Sequence, residues 1–163
     1  MKLRSVEAMP DIRGKRVLVR VDHNIEPAPD GTLKDDRKLR ITLRTLEYLV
    51  DRSAVLTFMT HVGRPKGNDE RLRTAPIAKR LEELSPKLKD YGFTYLENVR
   101  FDKREKGSDE SYARELISDN EFFVDEAFPS LHAYEETSTC TVARLLPSYA
   151  GYHLIEEVEN LSR

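Results

Sequence analysis

Val17, Leu18, Val19 and Val21 form a short apolar run with β-branched weighting, which predicts a strand buried on both faces of a parallel sheet. A polar, Pro-containing stretch from Asn24 to Gly31 reads as a loop. From Asp36 the period becomes helical, with Leu39, Leu43, Leu46 and Val50 on one face and Asp35 and Asp36 at the start, where carboxylates suit the helix dipole. The unit then repeats. Ala54 to Thr60 predicts a second strand, and Thr74, Pro76, Ile77, Leu81 and Leu84 predict a capped helix. Phe93 to Val99 predicts a third strand, and Ser108-Asp109-Glu110 opens a helix carrying Leu116 and Ile117. Glu121 to Phe128 predicts a fourth strand. A looser helical stretch follows from about Ser138 to Leu146. The spacing of Leu154, Ile155, Val158 and Leu161 predicts a last helix whose stripe is buried on the sheet or under a second copy of the chain. Alternating strands and helices predict a three-layer α/β domain: a Rossmann-like, mainly parallel sheet with helices on both faces and right-handed crossovers.

Composition narrows the function classes. At 163 residues the chain fits one domain, and no linker or internal repeat divides residues 1–163. The 27 Lys and Arg nearly balance the 29 Asp and Glu, so no overall basic field argues for nucleic acid or an anionic membrane. A lone cysteine, Cys140, cannot close an intrachain disulfide, and no Cys/His cluster offers zinc ligands. The charged opening lacks the apolar core of a signal peptide, and no run is long enough to span a membrane. A cytoplasmic protein is expected.

In open parallel sheets, ligands sit outside the carboxyl ends of the strands. Four polar clusters fall there: Asp22-His23-Asn24, His61-Val62-Gly63-Arg64-Pro65, Glu97-Asn98-Val99-Arg100, and Asp125-Glu126 running on to His132. Any one of them is an ordinary solvated loop. Four in step point to a ligand: Arg64 and Arg100 are planar forks suited to a phosphate or carboxylate, and Asp22, Asn24 and His61 can fix hydroxyls or a second anionic group.

The strings RVLVRVDHN (16–24), THVGRP (60–65), YLENVRF (95–101), DEAFPSLH (125–132) and LPSYAG (146–151) resemble, in order, the N-terminal signatures of phosphoglycerate kinases. The resemblance implies a domain that binds 3-phosphoglycerate through Asp22, His23, Asn24, His61, Val62, Gly63, Arg64 and Arg100. It puts Lys38 where the family carries an arginine that stabilises the transferred phosphoryl group. It also implies that Mg-ATP or Mg-ADP binds to a separate C-terminal domain. No GxGxxG or GxxxxGK[ST] occurs within these 163 residues, so no cofactor is expected here unless such a lobe is supplied.

The departures bear on the site. Lys38 keeps the charge but not the fork. Where the family reads HRAH, His132 keeps the first histidine, but Ala133 replaces the arginine and Glu135 the second histidine, placing an anion near an anionic ligand. Pro129 replaces a glycine, which threatens to displace this loop. Between Leu84 and Phe93 only a short stretch, SPKLKDYG, stands where the family inserts a strand and a helix, so an edge unit is expected to be missing and that stretch to be a loop. Two readings follow: a substrate half that works only with a nucleotide lobe, or a non-catalytic binding module on the same fold. The second is favoured for the chain by itself. The partners expected are a small phosphorylated metabolite and a nucleotide lobe or second copy.

Overall fold

The computed structural model describes residues 3–129 and 135–163. Its centre is a five-stranded, all-parallel sheet built from β1 (Arg16–Arg20), β2 (Val55–Met59), β3 (Thr94–Tyr95), β4 (Phe122–Asp125) and β5 (Ser148–Ala150), in the order β3-β2-β1-β4-β5. Among the described residues six α-helices surround it: α1 (Arg37–Asp51), α2 (Ala75–Leu84), α3 (Pro86–Tyr91), α4 (Glu110–Ile117), α5 (Val142–Leu145) and α6 (Tyr152–Leu161).

Strand periodicity creates the three layers. Val17 and Val19 of β1, Leu56 and Phe58 of β2 and Val124 of β4 point to one side, where they meet Leu39, Leu46 and Leu49 of α1, Ile77 and Leu81 of α2 and Leu88 of α3. Leu18, Met59 and Phe123 point to the other side, onto Tyr112, Ala113 and Leu116 of α4 and Val142 of α5. Each central strand is therefore buried on both faces, as its apolar run requires.

Four expectations are corrected. SPKLKDYG is not a loop: Ser85 accepts a hydrogen bond from the Leu88 N–H (3.2 Å), Pro86 starts α3, and Gly92 at φ 88° ends it. The third strand covers only Thr94–Tyr95, because Asn98 accepts from the Arg100 N–H (3.1 Å) and turns Val99–Phe101 into a 3-10 helix. The fourth strand stops at Asp125, whose carboxylate accepts from the Ala127 N–H (2.9 Å) and bends the chain out of the sheet. The stretch LPSYAG contributes an unforeseen strand, β5, held also by the N-terminal segment through Ala150 N–H to Arg4 O (2.7 Å). The looser helical stretch is present as one π-helical turn, Thr137–Thr141, running into α5. The α6 stripe is only partly buried: Leu154 is 2% exposed, Ile155 and Val158 are half-buried and Leu161 is 70% exposed.

Candidate functional site

The carboxyl ends of β1, β2 and β3 open onto a cavity of about 820 Å³, with Asn24, His61, Gly63, Arg64, Arg100 and Glu136 in its wall. Asn24 leaves β1 and crosses to the loop after β2, where its Oδ1 accepts from the Gly63 N–H (2.9 Å). Gly63 sits at φ 62°, and a Cβ there would lie 2.9 Å from Glu26 Oε1 and 3.1 Å from Leu72 Cδ1. Backbone conformation and space both demand glycine. Asn98 ties the third loop to the second, accepting from the Val62 N–H (3.2 Å) and donating through Nδ2 to Val62 O (2.8 Å) and Leu72 O (3.0 Å). Three loops from three strands are thus cross-linked into one rim.

Behind the rim lies Arg20, the last residue of β1, with no exposed surface. Its Nε donates to Ser138 Oγ (2.9 Å), Nη1 to Val21 O (2.6 Å) and Nη2 to His61 Nδ1 (2.8 Å), while Glu136 Oε2 stands 3.6 Å away. A guanidinium only donates, so His61 Nδ1 accepts and the ring proton rests on Nε2. Burial, reinforced by Arg20 and Arg100, lowers the His61 pKa to about 3. His61 is therefore a neutral hydrogen-bonding group, not a cation. Ser138 passes the interaction on, donating to Glu105, whose carboxyl is pushed up to about 7 by burial.

Arg100 reaches the cavity with Nη1 donating to Gly63 O (3.0 Å) and Nη2 to Glu136 Oε1 (2.9 Å). Arg64 is exposed and makes no ion pair among the described residues. Lys38 is not in the cavity wall; its Nζ lies 3.3 Å from Asp22 Oδ2 and 3.4 Å from Asn24 O. Two expected site residues face the core instead of the cavity. His23 is fully buried, with Nδ1 at 2.8 Å from Tyr95 Oη and Nε2 at 2.9 Å from Thr42 Oγ1, and its pKa falls to about 3, chiefly through burial. Val62 packs in the core below α2. His132 and Ala133 lie outside the described residues. Pro129 lines the cavity, and the carboxylate that this segment adds to the wall, beside those of Glu26 and Asp69, belongs to Glu136, not to Glu135. The Glu135 carbonyl instead accepts from the Gly107 and Ser108 N–H groups (3.0 Å each).

The family model for phosphoglycerate kinase matches residues 6–163. The chain belongs to the phosphoglycerate kinase family. A phosphoglycerate kinase of Dictyoglomus turgidum is 37% identical over 94% of this chain but only 43% of its own length, and one of Roseiflexus castenholzii is 39% identical over 93% and 43%. The structure of phosphoglycerate kinase from Coxiella burnetii superimposes with a TM-score of 0.89 at 29% identity, covering 99% of this chain and 45% of that one. The chain thus spans under half the length of these relatives. Its match to the phosphoglycerate kinase of Coprothermobacter proteolyticus runs over 182 residues, more than the 163 present here, so that relative carries residues with no counterpart in this chain.

Within this phosphoglycerate kinase domain, sequence reasoning missed Arg20, Glu105, Glu136 and Ser138. One signal was available: Arg20 interrupts the apolar run of β1, and a charge in a strand buried on both faces needs partners. Besides the Val21 carbonyl and His61, those partners are Glu136 and Ser138, more than 110 residues away along the chain, where no spacing rule connects them.

Proposed function

We propose that this domain binds 3-phosphoglycerate, or a similar small phosphorylated acid, in the cavity at the strand ends, and that alone it does not transfer phosphoryl groups. The observation that carries the reading is the convergence of Arg64, Arg100, His61 and Asn24, from three separate loops, on one cavity. Arg64 is the exposed fork suited to a phosphate, and the neutral His61 and the Asn24 side chain offer hydrogen bonds to hydroxyl or carboxyl oxygens. The volume lies within the range usual for small-molecule sites. Lys38 would give charge stabilisation to a transferred group as a point charge, not a fork.

Phosphoryl transfer rests on positioning and on cations around the nucleotide phosphates, and these 163 residues contain no phosphate-cradling glycine motif. The purified chain is expected to leave ATP unconsumed in the presence of 3-phosphoglycerate and Mg²⁺. Sustained, kinase-free turnover would contradict the second half of the proposal. Isothermal titration tests the first half: saturable binding of 3-phosphoglycerate is expected, weakened at least about tenfold by Arg64→Gln. Titrations that are flat, or blind to Arg64, would contradict it.

A further inference from the structure

Of the charged residues in the cavity wall, Asp69, Arg71, Arg100 and Glu136 are matched in ion pairs, while Glu26 and Arg64 make none with the described residues. Arg71 donates to Asp69 through Nε (3.1 Å) and Nη2 (2.9 Å). Just outside, Lys38 is held by Asp22. Arg100, one of the two forks expected to hold an anion, spends Nη1 on Gly63 O and Nη2 on Glu136. Its Nε is buried without a partner, so the fork that Arg100 turns to the cavity is its Nη1 and Nη2 groups, each with one N–H already engaged. Arg64 alone among the arginines of the wall makes no ion pair with the described residues.

Glu136 is well suited to keep that hold. It is 5% exposed, lies between two guanidinium groups, and has its backbone paired with Lys106 in a bridge at the start of the π-helical turn. Side chains on such a tethered backbone lose little further freedom in making an ion pair. Carboxylate and phosphate compete for the same fork geometry on arginine.

We propose that Glu136 is an internal competitor for the anion site: its carboxylate occupies, on Arg100, the place that an anionic ligand would take, and so sets the affinity and charge preference of the cavity. This rests on the reading of the cavity as an anion site. A ligand enters with one anionic group on Arg64, and takes the place of the carboxylate at Arg100 Nη2 only by displacing Glu136. Replacing that carboxylate with its neutral isostere removes the competitor and leaves the side-chain shape intact.

The experiment is a titration of 3-phosphoglycerate, with inorganic phosphate as the minimal probe, into the full chain and its Glu136→Gln, Arg64→Gln, Arg100→Gln and Glu136→Gln/Arg100→Gln variants. Glu136→Gln is expected to tighten binding about tenfold, the equivalent of one charge-assisted hydrogen bond. The loss on Arg100→Gln is expected to be about tenfold larger in the Glu136→Gln background than in the wild-type chain. Unchanged or weaker binding by a folded Glu136→Gln chain overturns the inference, and leaves the anion site standing if Arg64→Gln still weakens binding. Absence of binding in every folded chain overturns both. Should Glu136→Gln fail to fold, the wild-type background decides. A loss on Arg100→Gln several-fold smaller than on Arg64→Gln supports the inference, and equal losses overturn it.

Discussion

Glu126 has no exposed surface; its Oε1 accepts from the Leu154 N–H (3.1 Å), while Oε2 has no partner. Burial pushes its pKa up to about 7, as it does for Glu105. The folded state therefore keeps protons that the unfolded chain releases above its ordinary carboxyl value of 4.5, so these two groups favour folding on the acid side and oppose it as pH rises toward 7. His23 and His61, lowered to about 3, act in the opposite sense: folding is favoured above the ordinary value of 6.5 and loses support as pH falls. The opposing pairs flatten the overall profile, so a single variant is more telling. Glu126→Gln is expected to gain stability relative to the wild-type chain as pH rises from about 5 to about 8, read from urea unfolding; a difference independent of pH contradicts the assignment. Gly63→Ala is expected to cost roughly 1 to 2 kcal/mol from its left-handed backbone alone, with a further loss of ligand affinity as the rim shifts. At this scale the sequence was legible where a residue's role is local. The exposed Arg64 and the bridging Asn24 were read as site residues, whereas His23, beside them, turns inward because Thr42 and Tyr95 complete its hydrogen bonds.

Elements were most legible where periodicity is long. The apolar period of α1, the Pro in the first turn of α2 and the Asp109 cap of α4 can be read directly, because each is set by neighbours in sequence, but the cap expected from Thr74 is not made: its hydroxyl donates to Leu96 O (2.8 Å). The short elements were harder. In α3 the Ser-Pro start and Gly stop were present but lay in a stretch compared with a longer family segment. β5 has only three residues, and its pairing with β4 and its bridge to Ser5 come from distant parts of the chain. The last helix divides along its length. Leu154 is buried at the α6 start beside Glu126, and Leu161 projects into solvent. Leu154→Asp is therefore expected to destabilise the fold by at least about 2 kcal/mol. Leu161→Asp is expected to stay within about 0.5 kcal/mol of wild type. Equal effects in thermal melts would contradict this division.

At the scale of the whole molecule, the parallel order β3-β2-β1-β4-β5 places β1 at the centre, and the site grows from its end: Arg20 below, Asp22 and Asn24 above, with the loops after β2 and β3 beside them. The outer strands have two and three residues, which limits the exposed hydrogen-bonding edge of the sheet. The place of the cavity was legible because the fold class alone puts openings for ligands at the carboxyl ends of parallel strands. Its internal charge balance was legible only in part: the resemblance brought this segment and an anion to the site, but at Glu135, whereas it is the neighbouring Glu136 that reaches the wall and pairs with Arg100. The central claim is that this end of the sheet holds a small phosphorylated acid, and a crystal structure of the chain soaked with 3-phosphoglycerate tests it most directly. The account predicts the phosphate or carboxylate against the Arg64 guanidinium, with the remainder of the ligand within hydrogen-bonding reach of His61 Nε2 and Asn24. A ligand bound elsewhere on the surface, or none at saturating concentration with the cavity open to solvent, would contradict it.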